Sequence, residues 1–185
     1  MGKSEMLFKS LCFFLLFIIN NAFANSEKPD HFDQKTSFIL NNYFSNYNLL
    51  GHAKYKYLFF DIYDASLVSQ EENFNNNNFA LILKYNRKIT KESVINETIN
   101  DFKKQRTFNK NEIDKLKNLL DTTFKNIEID DIFIAIKKDN AAFLYFEGEK
   151  VLEIEDQDFI NIFFNIWLRK DSQDPDFTKA LLNKK

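Results

Sequence analysis

Apolar side chains occupy every second position from Phe79 through Leu81 and Leu83 to Tyr85, while Lys84 and then Asn86 turn polar on the other side. That period predicts a strand with one buried face. Downstream the period changes. Ile95, Ile99 and Phe102 recur at helical spacing behind Thr90, whose hydroxyl can serve the first-turn amides. Lys91, Glu92, Glu97 and Lys103 fall on the wet side, so a helix runs from Thr90 to about Gln105. Asn109 to Glu112 has the form of a capping box, and Ile113, Leu116, Leu120 and Phe124 prolong one apolar stripe into a second helix. Residues 132–136 and 142–146 have strand composition. Glu147-Gly148-Glu149 then predicts a tight hairpin, with the glycine at positive φ, into a third strand from Val151 to Ile154. Asp156 or Asp158 can open the most apolar helix of the chain, with Phe159, Ile162, Phe163, Ile166 and Trp167 on one broad stripe. Asp174-Pro175 restarts the chain as a short terminal helix carrying Phe177, Ala180 and Leu181.

Upstream the pattern is weaker. Residues 38–50 follow neither period cleanly, and Gly51 opens a β-rich stretch over 53–68 that reads as one long strand or a bulged one. The asparagine-rich run 73–78 is the hairpin loop that follows. Residues 25–37, polar and containing Pro29, read as a flexible leader. Before them come Lys3 and Lys9, an unbroken apolar run over 11–19, and Ala22-Phe23-Ala24, in the order of a secretory signal peptide cleaved after Ala24. The run is shorter than the roughly 20 apolar residues of a membrane span. Cys12 follows Lys9-Ser10-Leu11, which lacks the small residues of a lipoprotein signal. The expected organisation is a signal peptide over 1–24, a leader over 25–37 and one domain over 38–185. A periplasmic or secreted location follows, with no stable membrane span after cleavage. Strands, then helices, then strands, then helices indicate an α+β fold, a large antiparallel sheet packed on a layer of helices.

The length of 185 residues suits one core, and 44% hydrophobic against 28% charged residues can build it. A formal net charge of -2 gives no electrostatic reason to seek nucleic acid. With Gly 3 and Pro 2 the chain has no glycine-rich phosphate loop, so no nucleotide cofactor is expected. Cys12 is the single cysteine and leaves with the signal, which removes disulfides and thiolate chemistry from the mature chain. His31 and His52 lack partners at metal-binding spacing, and a hydrolase triad would have to recruit His52. Asp130-Asp131 and Glu153/Glu155 read as solvated charge rather than catalytic pairs. The 22 Phe admit two readings, a core built from phenylalanine or a lipophilic pocket. Lys54 and Lys56 share one side of the first strand, with Tyr63 further along and Tyr85 on the next strand. Facing a cleft, these four would bind a carboxylate or enolate; facing water, the lysines are an ordinary strand surface.

Three motifs taken together carry a resemblance: Phe60-Asp61-Ile62-Tyr63-Asp64-Ala65-Ser66-Leu67, then Leu83-Lys84-Tyr85-Asn86-Arg87-Lys88-Ile89-Thr90, then Phe163-Phe164-Asn165-Ile166-Trp167-Leu168 followed by Leu181-Leu182. From about Leu50 to Leu182 the chain resembles the bacterial, exported chalcone isomerase-like family. That resemblance implies an open-faced β-sandwich in which a large antiparallel sheet curls over a layer of helices. Plant chalcone isomerases hold substrate with an arginine on an early strand and a tyrosine, lysine and asparagine near the next helix start. Here Lys54 and Lys56 occupy the arginine's neighbourhood, and Thr90, Ser93, Asn96 and Glu97 the helix start, without the tyrosine and lysine. Lysine cannot reproduce the planar fork of arginine. The resemblance therefore implies a non-catalytic member, similar to the fatty-acid-binding proteins of the wider fold, with Lys54 or Lys56 and Tyr63 clasping a lipophilic carboxylate. Two alternatives stand beside it, an isomerase or lyase acting on an α,β-unsaturated carbonyl compound and a cell-envelope interaction module. No protein partner is named by the sequence.

Overall fold

The computed structural model describes residues 31–183, so the signal peptide, its cleavage and residues 25–30 of the leader lie outside the described residues. From Phe32 onward the chain forms one compact unit. A helix α1 (Gln34–Asn41) precedes six strands: β1 (Asn48–Tyr57), β2 (Phe60–Ser69), β3 (Phe79–Tyr85), β4 (Ile132–Lys138), β5 (Ala141–Phe146) and β6 (Glu149–Ile154). Helices α2 (Lys91–Gln105) and α3 (Lys110–Thr123) fall between β3 and β4, and α4 (Gln157–Leu168) and α5 (Pro175–Leu181) follow β6. The strands form one antiparallel sheet in chain order, β1 to β6. This is the expected α+β architecture. No helix among the described residues is long and apolar enough to cross a membrane.

The helix ends form where the caps predict them. Thr90 accepts from the Ser93 amide at 3.2 Å, and Asp156 accepts from the Asp158 and Phe159 amides. Asn109 and Glu112 exchange both bonds of a capping box at 3.0 and 2.7 Å. Each such side chain satisfies amides the helix itself leaves unpaired. Between β5 and β6, Glu147 at φ 49 and Gly148 at φ 85 make the tight turn, and a side chain at Gly148 would strike Lys35.

Three expectations are corrected. The stretch over 53–68 is not one strand but the hairpin β1–β2, reversed at Leu58-Phe59. Leu58 adopts φ 55, a conformation that asparagine or glycine takes at less cost, so no turn signal marked the site. The helix α1 begins at Gln34, inside the segment read as leader, held by Asp33 accepting from the Thr36 amide. And β3 is buried on both faces, because α1 lays Ile39 and Leu40, with Phe44 just beyond, over Ala80, Ile82, Ile134 and Ile136. Alternation into water holds only at Lys84, past the reach of α1.

The opposite face of the sheet holds the main core. Phe79, Phe102, Phe133, Phe159, Phe163 and Phe164 interlock there, with Phe79 and Phe164 ring centroids 4.8 Å apart and Phe159 stacked on Phe163 at 5.6 Å. Most of the described phenylalanine is therefore packing. Emptying one of these sites, as in Phe163→Ala, removes about 3–5 kcal/mol. Helix α5 approaches β1 so closely that a side chain at Gly51 would collide with the carbonyl oxygens of Ala180 and Leu181. That contact sets the height of α5 over β1 and β2, and with it the site described next.

Candidate functional site

Where the phenylalanine packing stops, under the β1–β3 end of the sheet, a cavity of ≈ 190 Å³ remains. Tyr55, Tyr63, Leu83 and Tyr85 form its sheet wall, Val94, Thr98 and Asp101 of α2 one side, and Ile166, Trp167 and Phe177 of α4 and α5 its far wall. Register explains the tyrosines. Tyr55 pairs with Tyr63 and Tyr63 with Tyr85 across three neighbouring strands, so all three project from the same face. Tyr55 stacks on Tyr63 at 5.0 Å, Tyr85 meets Tyr63 edge-on at 5.7 Å, and Phe177 meets Tyr55 edge-on at 5.8 Å. An engineered apolar cavity of about 150 Å³ holds benzene, and drug-sized ligands need roughly 300 Å³ or more, so this space suits one ring or a short alkyl chain.

Polar groups in the cavity are few and definite. Trp167 Nε1 donates to the Tyr63 hydroxyl at 3.0 Å, which leaves the phenol proton of Tyr63 free to donate onward. Among the described residues the hydroxyls of Tyr55 and Tyr85 have no hydrogen-bond partner. Burial pushes the phenols of Tyr63 and Tyr85 well above their ordinary range. Burial also raises Tyr55, helped by the carboxylates of Asp101, Asp174 and Glu97 around it. All three stay neutral donors at physiological pH. Behind them, Ser172 and Thr178 share a hydrogen bond at 2.6 Å and Thr178 donates to the Trp167 carbonyl at 2.8 Å, fixing α5 against α4. Gln105 donates to the Ile162 carbonyl at 2.8 Å, fixing α2 against α4.

Charge at the rim has one sign. Glu97, Asp101 and Asp174 border the cavity, and no lysine, arginine or histidine does. Gln173 donates to Asp101, with Lys104 at 3.6 Å from the same carboxylate, and Asp174 accepts from the Phe177 amide as the α5 cap. Arg169 lies outside the lining; its Nε donates to the Asp171 carbonyl, and its Nη1 is buried without a hydrogen-bond partner.

Of the four residues expected to bind ligand, the structure unites Tyr63 and Tyr85 and separates both lysines from them. Lys54 reaches Asp61 at 3.1 Å and Asp64 at 3.7 Å, and Lys56 reaches Asp61 at 3.3 Å, all on the outer face of the sheet. The expected cationic clasp is thus a solvated ion-pair cluster. Tyr55, which sits between the two lysines and therefore points the other way, is the residue the sequence reading missed, together with Trp167, Phe177 and the acidic rim. Alternation was the available signal for Tyr55, but its pairing with Tyr63 needs both the turn at 58–59 and the bulge that shifts the register between Tyr55 and Lys56. Among the described residues no group of side chains could hold a metal ion.

A chalcone isomerase-like family model matches residues 34–183. The chain belongs to the chalcone isomerase-like family. No curated protein matches the sequence. Among solved structures it is similar to a fatty-acid binding protein of Arabidopsis thaliana, at 15% identity and a TM-score of 0.56, over 74% of this chain and 87% of that one. That likeness concerns the fold. Within this chalcone isomerase-like chain, the start of α2 does face the cavity through Ser93 and Glu97, whereas Thr90 is spent on capping and Asn96 borders a separate groove between α2 and α3.

Proposed function

We propose that this chain is a non-catalytic binding protein for a small lipophilic molecule, held in the aromatic cavity beneath β1, β2 and β3. The observation that carries this reading is the cavity itself: a hollow walled by five aromatic rings, beside a core of interlocked phenylalanine. The fatty-acid binding neighbour supports a lipophilic ligand, and export belongs to the same proposal, carried by the pattern from Lys3 to Ala24. Three neutral phenols can orient a ligand and donate hydrogen bonds to it, but no lysine, arginine or histidine lines the cavity to balance the negative charge an enolate would develop. Native mass spectrometry of gently purified protein, with melting curves over a series of short alkyl and aryl compounds, tests the proposal. A ligand at one hundred times its Kd stabilises the native state by about 2.7 kcal/mol, several degrees for a domain of this size. No co-purifying compound and no melting shift across the series contradicts it.

One observation favours contact with an envelope surface as a second activity of the same fold. At the β1–β2 turn, Tyr57, Leu58, Phe59 and Phe60 are consecutive and exposed, with Phe59 96% accessible. Arg87 lies 4.1 Å over the Phe60 ring, and Lys56 and Lys88 flank it. Four side chains on a two-residue turn present far less than the roughly 800 Å² per partner of a stable protein interface, but aromatic tips with basic flanks suit a bilayer interface. Replacing Leu58-Phe59 with Asn-Gly relieves the positive φ at Leu58. The reading expects this variant to fold with at least wild-type stability and to lose sedimentation with lipid vesicles; equal sedimentation of both proteins contradicts it.

A further inference from the structure

We infer that the ligand of the aromatic cavity carries a positively charged polar end, an alkyl- or arylalkylammonium, rather than a carboxylate. The inference rests on the proposed binding function and concerns the head group alone. Three carboxylates, on Glu97, Asp101 and Asp174, border the cavity, no cationic side chain lines it, and only Asp101 has a cation beside it, Lys104 at 3.6 Å. An anionic head drawn in behind its tail would leave water to meet like charges at short range; a cation meets opposite ones. The walls point the same way. The rings of Tyr55, Tyr63, Tyr85, Trp167 and Phe177 line the cavity, and aromatic rings attract a cation that reaches a free face, most strongly once it is stripped of water. Burial and the nearby carboxylates also keep the Tyr55 phenol neutral, so it offers an ammonium an acceptor oxygen. Asp101 is engaged by Gln173 and Lys104 and Asp174 by its helix cap, so the free carboxylate of the three is Glu97, exposed and without a partner among the described residues.

The cationic residues that first suggested a carboxylate ligand, Lys54 and Lys56, are paired with Asp61 and Asp64 on the opposite face of the sheet. They cannot reach a head group in the cavity without unfolding the edge of the sheet.

A matched series with one tail separates head from tail: octylammonium, octanol and octanoate, each titrated below its micelle concentration into the full-length or processed protein and read by calorimetry. The inference expects octylammonium to bind at least about tenfold more tightly than octanoate, with octanol between them, and Glu97→Gln to shrink that preference severalfold while octanol affinity stays within twofold. Octanoate binding as tightly as octylammonium, or a preference untouched by both Glu97→Gln and Asp101→Asn, overturns the inference and leaves the lipophilic binding function standing. Binding of none of the three overturns both.

Discussion

The indole N–H of Trp167 donates to the hydroxyl of Tyr63 at 3.0 Å, joining α4 to β2 across the wall of the cavity. The bond spans 104 positions of sequence and lies where the two layers of the fold part to leave space. Trp167 is also the single tryptophan of the chain, so its fluorescence and its indole resonance report on this one place.

Tyr63→Phe removes the acceptor and leaves a buried N–H unpaired. The expected cost is about 1–3 kcal/mol in urea unfolding, with a change in Trp167 emission in the native state. A variant as stable as wild type with an unchanged spectrum would mean the bond does not form in solution.

Lys54→Ala and Lys56→Ala, singly or together, are expected to leave ligand affinity within twofold. Both ammonium groups pair with the Asp61 carboxylate on the far side of the sheet. A tenfold loss for either, measured with any ligand that binds the cavity, would return the lysines to the site and displace the present assignment.

Acid should weaken the start of α3 in a defined way. The Asn109 amide, and after it the Arg106 guanidinium, hold the Glu112 carboxyl below its usual 4.5. A carboxyl depressed by folding lends stability that is complete above the unfolded value and disappears as pH falls through the folded one. Wild type should therefore exceed Glu112→Gln in stability at neutral pH, and the gap should close as pH drops below about 4.5. A gap that is constant from pH 7 to pH 3 would show that ionisation of Glu112 plays no part.

The helices were legible because their ends are written locally. Thr90, Asn109, Asp156 and Asp174 all cap as their side chains allow, and the apolar stripes behind them pack into the main core. What could not be read is what depends on distant chain. The β1–β2 reversal uses Leu58 and Phe59, residues with no turn preference, so the hairpin looked like one strand and the faces of its side chains were assigned wrongly. The burial of Ala80 and Ile82 needs α1, whose stripe of Thr36, Ile39 and Leu40 is too short to declare itself. Tyr63 and Tyr85 could be grouped because they pair on adjacent strands, but the lysines grouped with them face the other way. The rim was missed because Glu97, Asp101 and Asp174 come from two helices that only the packing of α2 and α5 brings to one opening.

The central claim is that the space beside Trp167 receives a ligand. It is tested most directly by following the indole N–H resonance of Trp167 in a ¹⁵N-labelled sample during titration with octylammonium. The account predicts a saturable shift of that signal, with the amides of Val94 and Phe177 moving at the same midpoint. An indole signal that stays in place while other resonances saturate would put the binding elsewhere and contradict the account.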